Sequence, residues 1–475
     1  MTVIFKKRWG SFYCGVLINS LWLLLAPPLA VAEVVAASPV KAEVAAAEEE
    51  EKEAREVKFK VVGLTTSGLV RTNLAWLNSY IDYQFPAELT QGDLAELERK
   101  LTTTAIFTQV KVSLEPRPGP ANEFFLRVEA EERWTTIPVV RGAYGGGMPM
   151  RVLGFYDINL LGRLLTFGAE ARQFGASPPG FIVYGRDPRG NSDRYYVGEE
   201  FWREFRRRQV FDRKGKQLGQ INSDMAMNRL RLLLPIDNNS GAQIHPWRVG
   251  GDIELVKENP SSFEASTLTS ADTAAPPGIF VRNRTRFLFK LLPTVVFNDI
   301  HVDQIQFQGS RLRVRAGPVV ASGKTASIAE IEGYYFSLIG PSWNLAMRTM
   351  IGASTIDSLQ SEYFLGGLDT VRGIPDSVLY GTHAGYTNVE LRHMELKSKY
   401  LWLQSAAFVD AGAAGASWQD AGKSGRVSAG IGMRFSVPQV YRLMLRIDYA
   451  WSLVGPQTQG VTLGLNQFFD ALTPL

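Results

Sequence analysis

The sequence predicts a mainly β protein: an antiparallel transmembrane barrel of about sixteen strands preceded by one small α/β unit. Three observations carry this. From Trp134 onward the side chains alternate between apolar and polar with the period of two that marks strands. Beyond an N-terminal leader, no window offers the ~18 continuous apolar residues of a membrane-spanning helix. Residues 57–133 instead switch between strand and helix periods in the order β-α-α-β-β. Gly 44 and 11% aromatics suit a turn-rich β protein.

The leader comes first. Lys6, Lys7 and Arg8 precede an apolar stretch through Leu21-Trp22-Leu23-Leu24-Leu25, and Ala30-Val31-Ala32 supplies small residues for cleavage, so residues 1–32 are expected to be a signal peptide. The sole cysteine, Cys14, lies inside it, so the exported protein is expected to hold no disulfide and no reactive thiolate. Residues 33–56, ending in "AAAEEEEKEARE", have little to bury and are expected to be a solvated linker.

In the unit at 57–133, "VKFKVVG" alternates as a strand and Leu69 to Tyr80 has helical spacing. Thr90-Gln91-Gly92-Asp93 reads as a capped helix start, with Leu94, Leu97 and Leu101 on one face. Val110, Val112 and Leu114 then alternate on one strand, and Leu126, Val128 and Ala130 on the next.

The remainder, 134–475, is the expected barrel. Alternation places strands near 136–144, 149–156, 163–173, 179–186, 193–206, 224–234, 244–256, 282–296, 301–317, 330–339, 343–352, 385–395, 400–412, 426–436, 441–453 and 459–469. In the last few, Leu401, Leu403 and Val409 oppose Gln404, Phe408, Asp410 and Gly412. Val427, Ile431, Met433 and Phe435 oppose Ser428, Gly430, Gly432 and Arg434. Leu443, Leu445, Ile447, Tyr449 and Trp451 oppose Arg442, Arg446 and Asp448. A soluble sandwich would turn the apolar face inward, whereas a membrane barrel turns it to lipid and lines its lumen with charge. Closure also satisfies every backbone group, as lipid demands. Long polar connections at 207–223, 257–281 and 353–384 fall at one end, and short ones such as Phe297-Asn298-Asp299 and Gly340-Pro341-Ser342-Trp343 mostly at the other, the loop asymmetry of outer-membrane barrels.

The connection before the twelfth strand reads "FLGGLDTVRGIPDSVLYG", followed by "NVELRH". It resembles the sixth extracellular loop of the BamA/TamA superfamily, the bacterial surface antigen family of outer-membrane insertases and transporters. Phe408-Val409-Asp410-Ala411-Gly412 matches that family's Phe-x-Asp-x-Gly on the thirteenth strand, "GIGMRFSVP" and "LRIDYAW" match its fourteenth and fifteenth, and Asp157 to Gly162 match the turn after its second. Residues 57–133 resemble a polypeptide-transport-associated (POTRA) domain, with Phe107-Thr108-Gln109-Val110 opening its second strand. The terminal "VTLGLNQFF" resembles the closing strand, although Asp470 to Leu475 displace the usual terminal aromatic.

The resemblance implies that the loop folds back into the lumen and that its tip, Val371-Arg372-Gly373, docks on Phe408, Asp410 and Gly412. A planar, permanently charged guanidinium suits a two-pronged bond to the Asp410 carboxylate. Gly373 permits a tight turn, and Gly412, Gly430 and Gly432 are expected to leave room for the loop. Glu390 and Arg392 face the same lumen and extend the network, with Arg434 and Asp448 as further supports. Ile374 stands where the family has an aromatic, which removes stacking at that position.

The implied function is insertion of β-barrel proteins into the outer membrane. A two-partner-secretion-like exporter of polypeptides is the alternative, and a passive porin a third reading. The partners would be unfolded outer-membrane or exported polypeptides, outer-membrane lipids and periplasmic accessory proteins, with the POTRA unit in the periplasm. A net charge of +4 from 51 basic and 47 acidic residues does not suit a nucleic-acid surface. Neither Gly-x-Ser-x-Gly nor His-Glu-x-x-His occurs, and His245, His301, His383 and His393 lack ligand spacing, so neither an enzyme nor a metal or other cofactor is expected. "GPVVASGKT" from Gly317 has one residue too many for a phosphate loop and reads as a hairpin.

Overall fold

The computed structural model describes residues 57–469, apart from 105, 120–121, 188–194, 213–214, 237–245, 266–280, 282, 304, 322, 357–362, 438–443, 466 and 468. The expected signal peptide, Cys14 and the 33–56 linker lie outside the described residues.

The α/β unit runs β1 (Phe59–Ser67), α1 (Leu74–Ile81), β2 (Ala87–Leu89), α2 (Gln91–Thr103), β3 (Phe107–Pro116) and β4 (Glu123–Glu132). Its sheet has the order β2-β1-β4-β3, with β1 and β4 parallel. The three-residue β2 was not visible in the pattern because it is too short to alternate. Helix α1 starts at Leu74, not Leu69, because Asn73 caps it: its side chain accepts the Trp76 N–H at 3.1 Å. The capping box of α2 is present, with the Thr90 hydroxyl accepting from Asp93 N at 3.2 Å and Thr90 N donating to Asp93 at 2.8 Å. Leu94, Leu97 and Leu101 are buried against Val61, Leu126 and Val128.

That core does not end with the unit. Leu164 belongs to it and Ile158 packs against it, and both come from the first turn of the barrel on the unit's side. Asn73 N donates to Gly162 O at 2.9 Å, and the Asn159 amide donates to the Thr72 hydroxyl at 3.2 Å. The family-like stretch Asp157 to Gly162 thus seats the α/β unit on the barrel.

Glu132, at the end of β4, accepts from the N–H groups of Arg71 and Thr72, both at 2.7 Å. Burial raises its pKa, but the bonds from Thr72 and Arg71 outweigh this and hold it below the ordinary value of 4.5. A depressed carboxylate contributes stability above its unfolded value, which is lost as pH falls through the lower folded value. Amide exchange at Arg71 and Thr72, corrected for intrinsic rates, is therefore expected to accelerate below pH 4.5. In Glu132→Gln that step should be absent; a step that persists would assign it to another group.

The barrel strands are β5 (Thr136–Gly145), β6 (Met148–Leu160), β7 (Leu165–Phe174), β8 (Gly180–Asp187), β9 (Tyr196–Phe211), β10 (Gln217–Pro235), β11 (Trp247–Glu258), β13 (Arg286–Asp303), β14 (Gln306–Ala321), β15 (Lys324–Ile339), β16 (Trp343–Ser354), β19 (His383–Lys397), β20 (Trp402–Gly415), β21 (Arg426–Ser436), β22 (Met444–Val454) and β23 (Gln459–Gly464). These sixteen close into an antiparallel barrel, and a short β12 (Ser262–Ala265) resumes the β11 ladder along β10. Within the connection before β19, β17 (Tyr363–Leu365) pairs with β18 (Leu379–Gly381), and α3 (Trp418–Ser424) follows β20. The alternation is inverted as lipid requires: on β22, Leu445, Ile447, Tyr449 and Trp451 are exposed, whereas Arg446 and Asp448 are buried inside.

Three expectations about connections are corrected. Residues 207–223 are not a long loop: β9 runs on to Phe211 and β10 starts at Gln217, because beyond the lipid band polar side chains can stay in a strand and pair across it, as Arg208 does with Ser223 at 3.4 Å. Phe297-Asn298-Asp299 is no turn but part of β13, which runs on to Asp303 before β14 starts at Gln306. The last strand stops at Gly464, not 469. The stretch from Gly317 is a hairpin between β14 and β15.

Candidate functional site

The part of the connection before β19 described from Tyr363 to Thr382 lies in the lumen and carries Arg372, which is fully buried. A tight turn precedes it: Thr370 N and Val371 N both donate to Gly366 O, at 3.1 and 3.0 Å. Val371, fully buried, packs with Leu365, Ile374, Leu379 and Tyr386. Gly373 has φ +80°, a conformation that favours glycine, and a Cβ there would lie 2.9 Å from that of Ala450.

Arg372 Nε and Nη2 grip the two oxygens of Asp410, each at 2.8 Å, and its backbone N donates to the same carboxylate at 3.0 Å. Its Nη1 donates to Glu390 at 2.5 Å and to Asp448 at 3.0 Å. The guanidinium carbon lies 3.4 Å from the centre of the Phe408 ring, so the stacking that Ile374 cannot supply comes from the wall. Gly412 makes room for the tip, since a Cβ there would meet Val371 Cγ2 at 2.7 Å. Gly430 and Gly432 make room for something other than the loop: Gly430 faces the Phe408 ring, and Gly432 faces the Asp448 and Arg434 side chains.

All ten residues singled out in the sequence meet here. Arg392 Nε donates to Glu390 at 2.8 Å, and Arg434 donates to Asp448 at 2.6 Å and to Glu390 at 3.3 Å. Further residues join them. Asn388 donates to Asp410 at 2.8 Å and to Thr370 O at 2.7 Å, and Arg348 donates to Asp369 O at 2.7 Å. Arg446 donates to Asp448 at 2.7 Å. Asn388 shares the period of Glu390 and Arg392 and was legible on that ground. Four guanidiniums, Arg372, Arg392, Arg434 and Arg446, thus share three carboxylates, Glu390, Asp410 and Asp448.

The chain's last described residues enter the same lumen. Gln467 bonds Gln404 at 3.0 Å and accepts from Arg434 at 3.4 Å. The Phe469 carbonyl accepts from Arg392 at 3.1 Å, and its ring is buried among Ile300, Phe307, Tyr334, Phe336 and Ala346. This segment has left the wall. Among the described residues the first and last strands pair only at Leu463 and Tyr144, against ten pairs between β5 and β6 and six between β22 and β23. The loop bridges that seam: Asp376 N donates to Gly146 O at 2.8 Å beyond the first strand, and Thr458 donates to Gly373 O at 2.7 Å before the last.

A second belt lines the facing wall. Arg231 holds Asp252 at 2.6 and 2.7 Å, Arg315 reaches Asp252 and Glu254 at 3.2 Å and Glu330 at 2.6 Å, and the loop's Tyr363 donates to Glu330 at 3.0 Å.

The sequence profile of the Omp85 superfamily domain matches residues 229–469. No curated protein matches the chain in sequence. Among solved structures the fold is similar to CdiB from Acinetobacter baumannii (TM-score 0.59, 11% identity, 98% of this chain and 88% of that one). It is also similar to CdiB from Escherichia coli (0.56, 13%, 96% and 97%). BamA from Haemophilus ducreyi lacking POTRA domains 1–3 is similar too (0.53, 14%, 86% and 84%).

Proposed function

Because the chain belongs to the Omp85 superfamily, we propose that this outer-membrane β-barrel is an insertase of the BamA/TamA kind, which helps other β-barrel proteins enter the outer membrane. The seam carries the reading. A wall joined there, among the described residues, by one residue pair leaves backbone N–H and C=O groups without a ladder, and in lipid an arriving strand is the natural partner for such an edge. The α/β unit is read as a POTRA domain in the periplasm, where the free edge of β3 could receive an extended client by strand addition. The export leader and periplasmic accessory proteins belong to the same reading, which assigns no cofactor and no chemistry to the chain.

One observation favours the exporter alternative: the charged belt around Arg231, Asp252 and Arg315 would suit an unfolded polypeptide passing through a lumen from which the loop had withdrawn.

Depletion of the protein followed by profiling of the outer-membrane proteome separates the two. An insertase predicts that many barrel proteins fall together; loss of one secreted polypeptide with barrel proteins intact would replace it with the exporter. Removing residues 57–133 is expected to leave a barrel that runs heat-modifiably in gels but to abolish this activity. The deletion should carry Leu164→Ser, since Leu164 loses its cover. An unimpaired deletion strain would show the unit to be dispensable.

A further inference from the structure

An exposed apolar surface lies where the α/β unit meets the first strand. Trp134 lies two residues before β5, in phase with the exposed positions 138 and 140 of that strand: it is 64% exposed and Val140 is 70% exposed. Above it the wall presents Leu153, Phe155 and Phe167. The α/β unit reaches the same level. Arg71 lays its guanidinium 4.3 Å from the Trp134 ring centre, and Val70, 87% exposed, shares a cleft of about 520 Å³ with both. The bonds from Asn73 to Gly162 and from Asn159 to Thr72 bring the turn bearing exposed Leu161 alongside.

Four large apolar side chains, Val70, Leu74, Trp134 and Leu161, are thus exposed on this side, with Arg71 beside Trp134 and Glu131, Glu132 and Arg133 along the same cleft. A surface facing only water rarely gathers such a set. An aromatic ring at the rim of a lipid-facing wall, with aliphatic side chains and a guanidinium beside it, is the chemistry of the headgroup boundary.

We propose that this patch binds the phospholipid leaflet on the α/β unit's side: Val70, Leu74, Leu161 and Trp134 enter the headgroup–acyl boundary, and Arg71 meets anionic headgroups. Continuity with the lipid-facing row of β5 selects lipid over a protein partner. The anchor holds the unit at the membrane beside the seam strand. The inference rests on the barrel's seat in a membrane and not on what the protein transports.

The test uses the full chain in a Cys14→Ala background, reconstituted in nanodiscs containing phosphatidylglycerol. An environment-sensitive fluorophore is placed on Val70→Cys, on Val140→Cys as the lipid-facing reference and on Lys111→Cys as an exposed reference in the same unit. The label at 70 is expected to match that at 140: shifted to the blue, quenched by lipids brominated near the headgroup, and shielded from iodide. Arg71→Glu should raise iodide access at 70 by about fivefold, the equilibrium worth of one basic residue at an anionic surface. A label at 70 as open to iodide as that at 111 would overturn the proposal. So would shielding that appears only after periplasmic extract is added, which would assign the patch to a protein. Heat-modifiable migration of each variant excludes misfolding as the cause.

Discussion

Replacing Arg372 by alanine is expected to release the loop from the lumen and expose it to protease in intact cells. The side chain is fully buried and serves three carboxylates, so its loss leaves buried charge without its partner, which costs about 3–5 kcal/mol. Asp410→Ala should loosen the loop less, because Arg372 keeps Glu390 and Asp448. Lysine at 372 should rescue only in part, since an ammonium cannot grip both oxygens of Asp410 while reaching Glu390. In a double-mutant cycle the Arg372→Ala/Asp410→Ala protein should open less than the sum of the singles. Strictly additive effects would refute the coupling.

Replacing Phe469 by alanine should act at the other end of the same network. A buried phenylalanine cut to alanine loses about 3–5 kcal/mol, enough to free the chain's end from the lumen. The register at the seam, Leu463 opposite Tyr144, continued antiparallel, sets residue 465 opposite 142. A disulfide between Gly142→Cys and Leu465→Cys is therefore expected to form readily in the Phe469→Ala protein and poorly when Phe469 is present. Equal trapping in both would mean that the anchored end does not hold the seam apart.

The barrel was legible because lipid imposes its pattern on every strand: an outward residue must be apolar, so period two survives from β5 to β23. The ends of strands were less legible. Outside the lipid band Arg207, Arg208 and Asn222 are free to be polar, and nothing in their chemistry separates a solvated strand from a loop. The lock at Arg372 could be placed because the loop and Phe408 to Gly412 carry motifs of the family they resemble; parity alone puts Asp410 in the lumen but not the loop tip against it. The inward turn of the last residues could not. In sequence "VTLGLNQFF" simply continues the strand, and only the arrangement of Phe307, Tyr334 and Phe336 across the lumen gives Phe469 somewhere else to go. Gly430 and Gly432 carried the same ambiguity: a lumen-facing glycine signals close approach but not what approaches.

The shared core of the α/β unit and the first barrel turn bears on inheritance. A graft of residues 57–133 onto a related barrel would carry a hydrophobic centre with a gap where Ile158 and Leu164 belong. The transferable module is therefore longer than the unit itself and ends inside the barrel's first two hairpins. A change in the core of the unit must therefore be matched by a change at Ile158 or Leu164 in the wall that completes it.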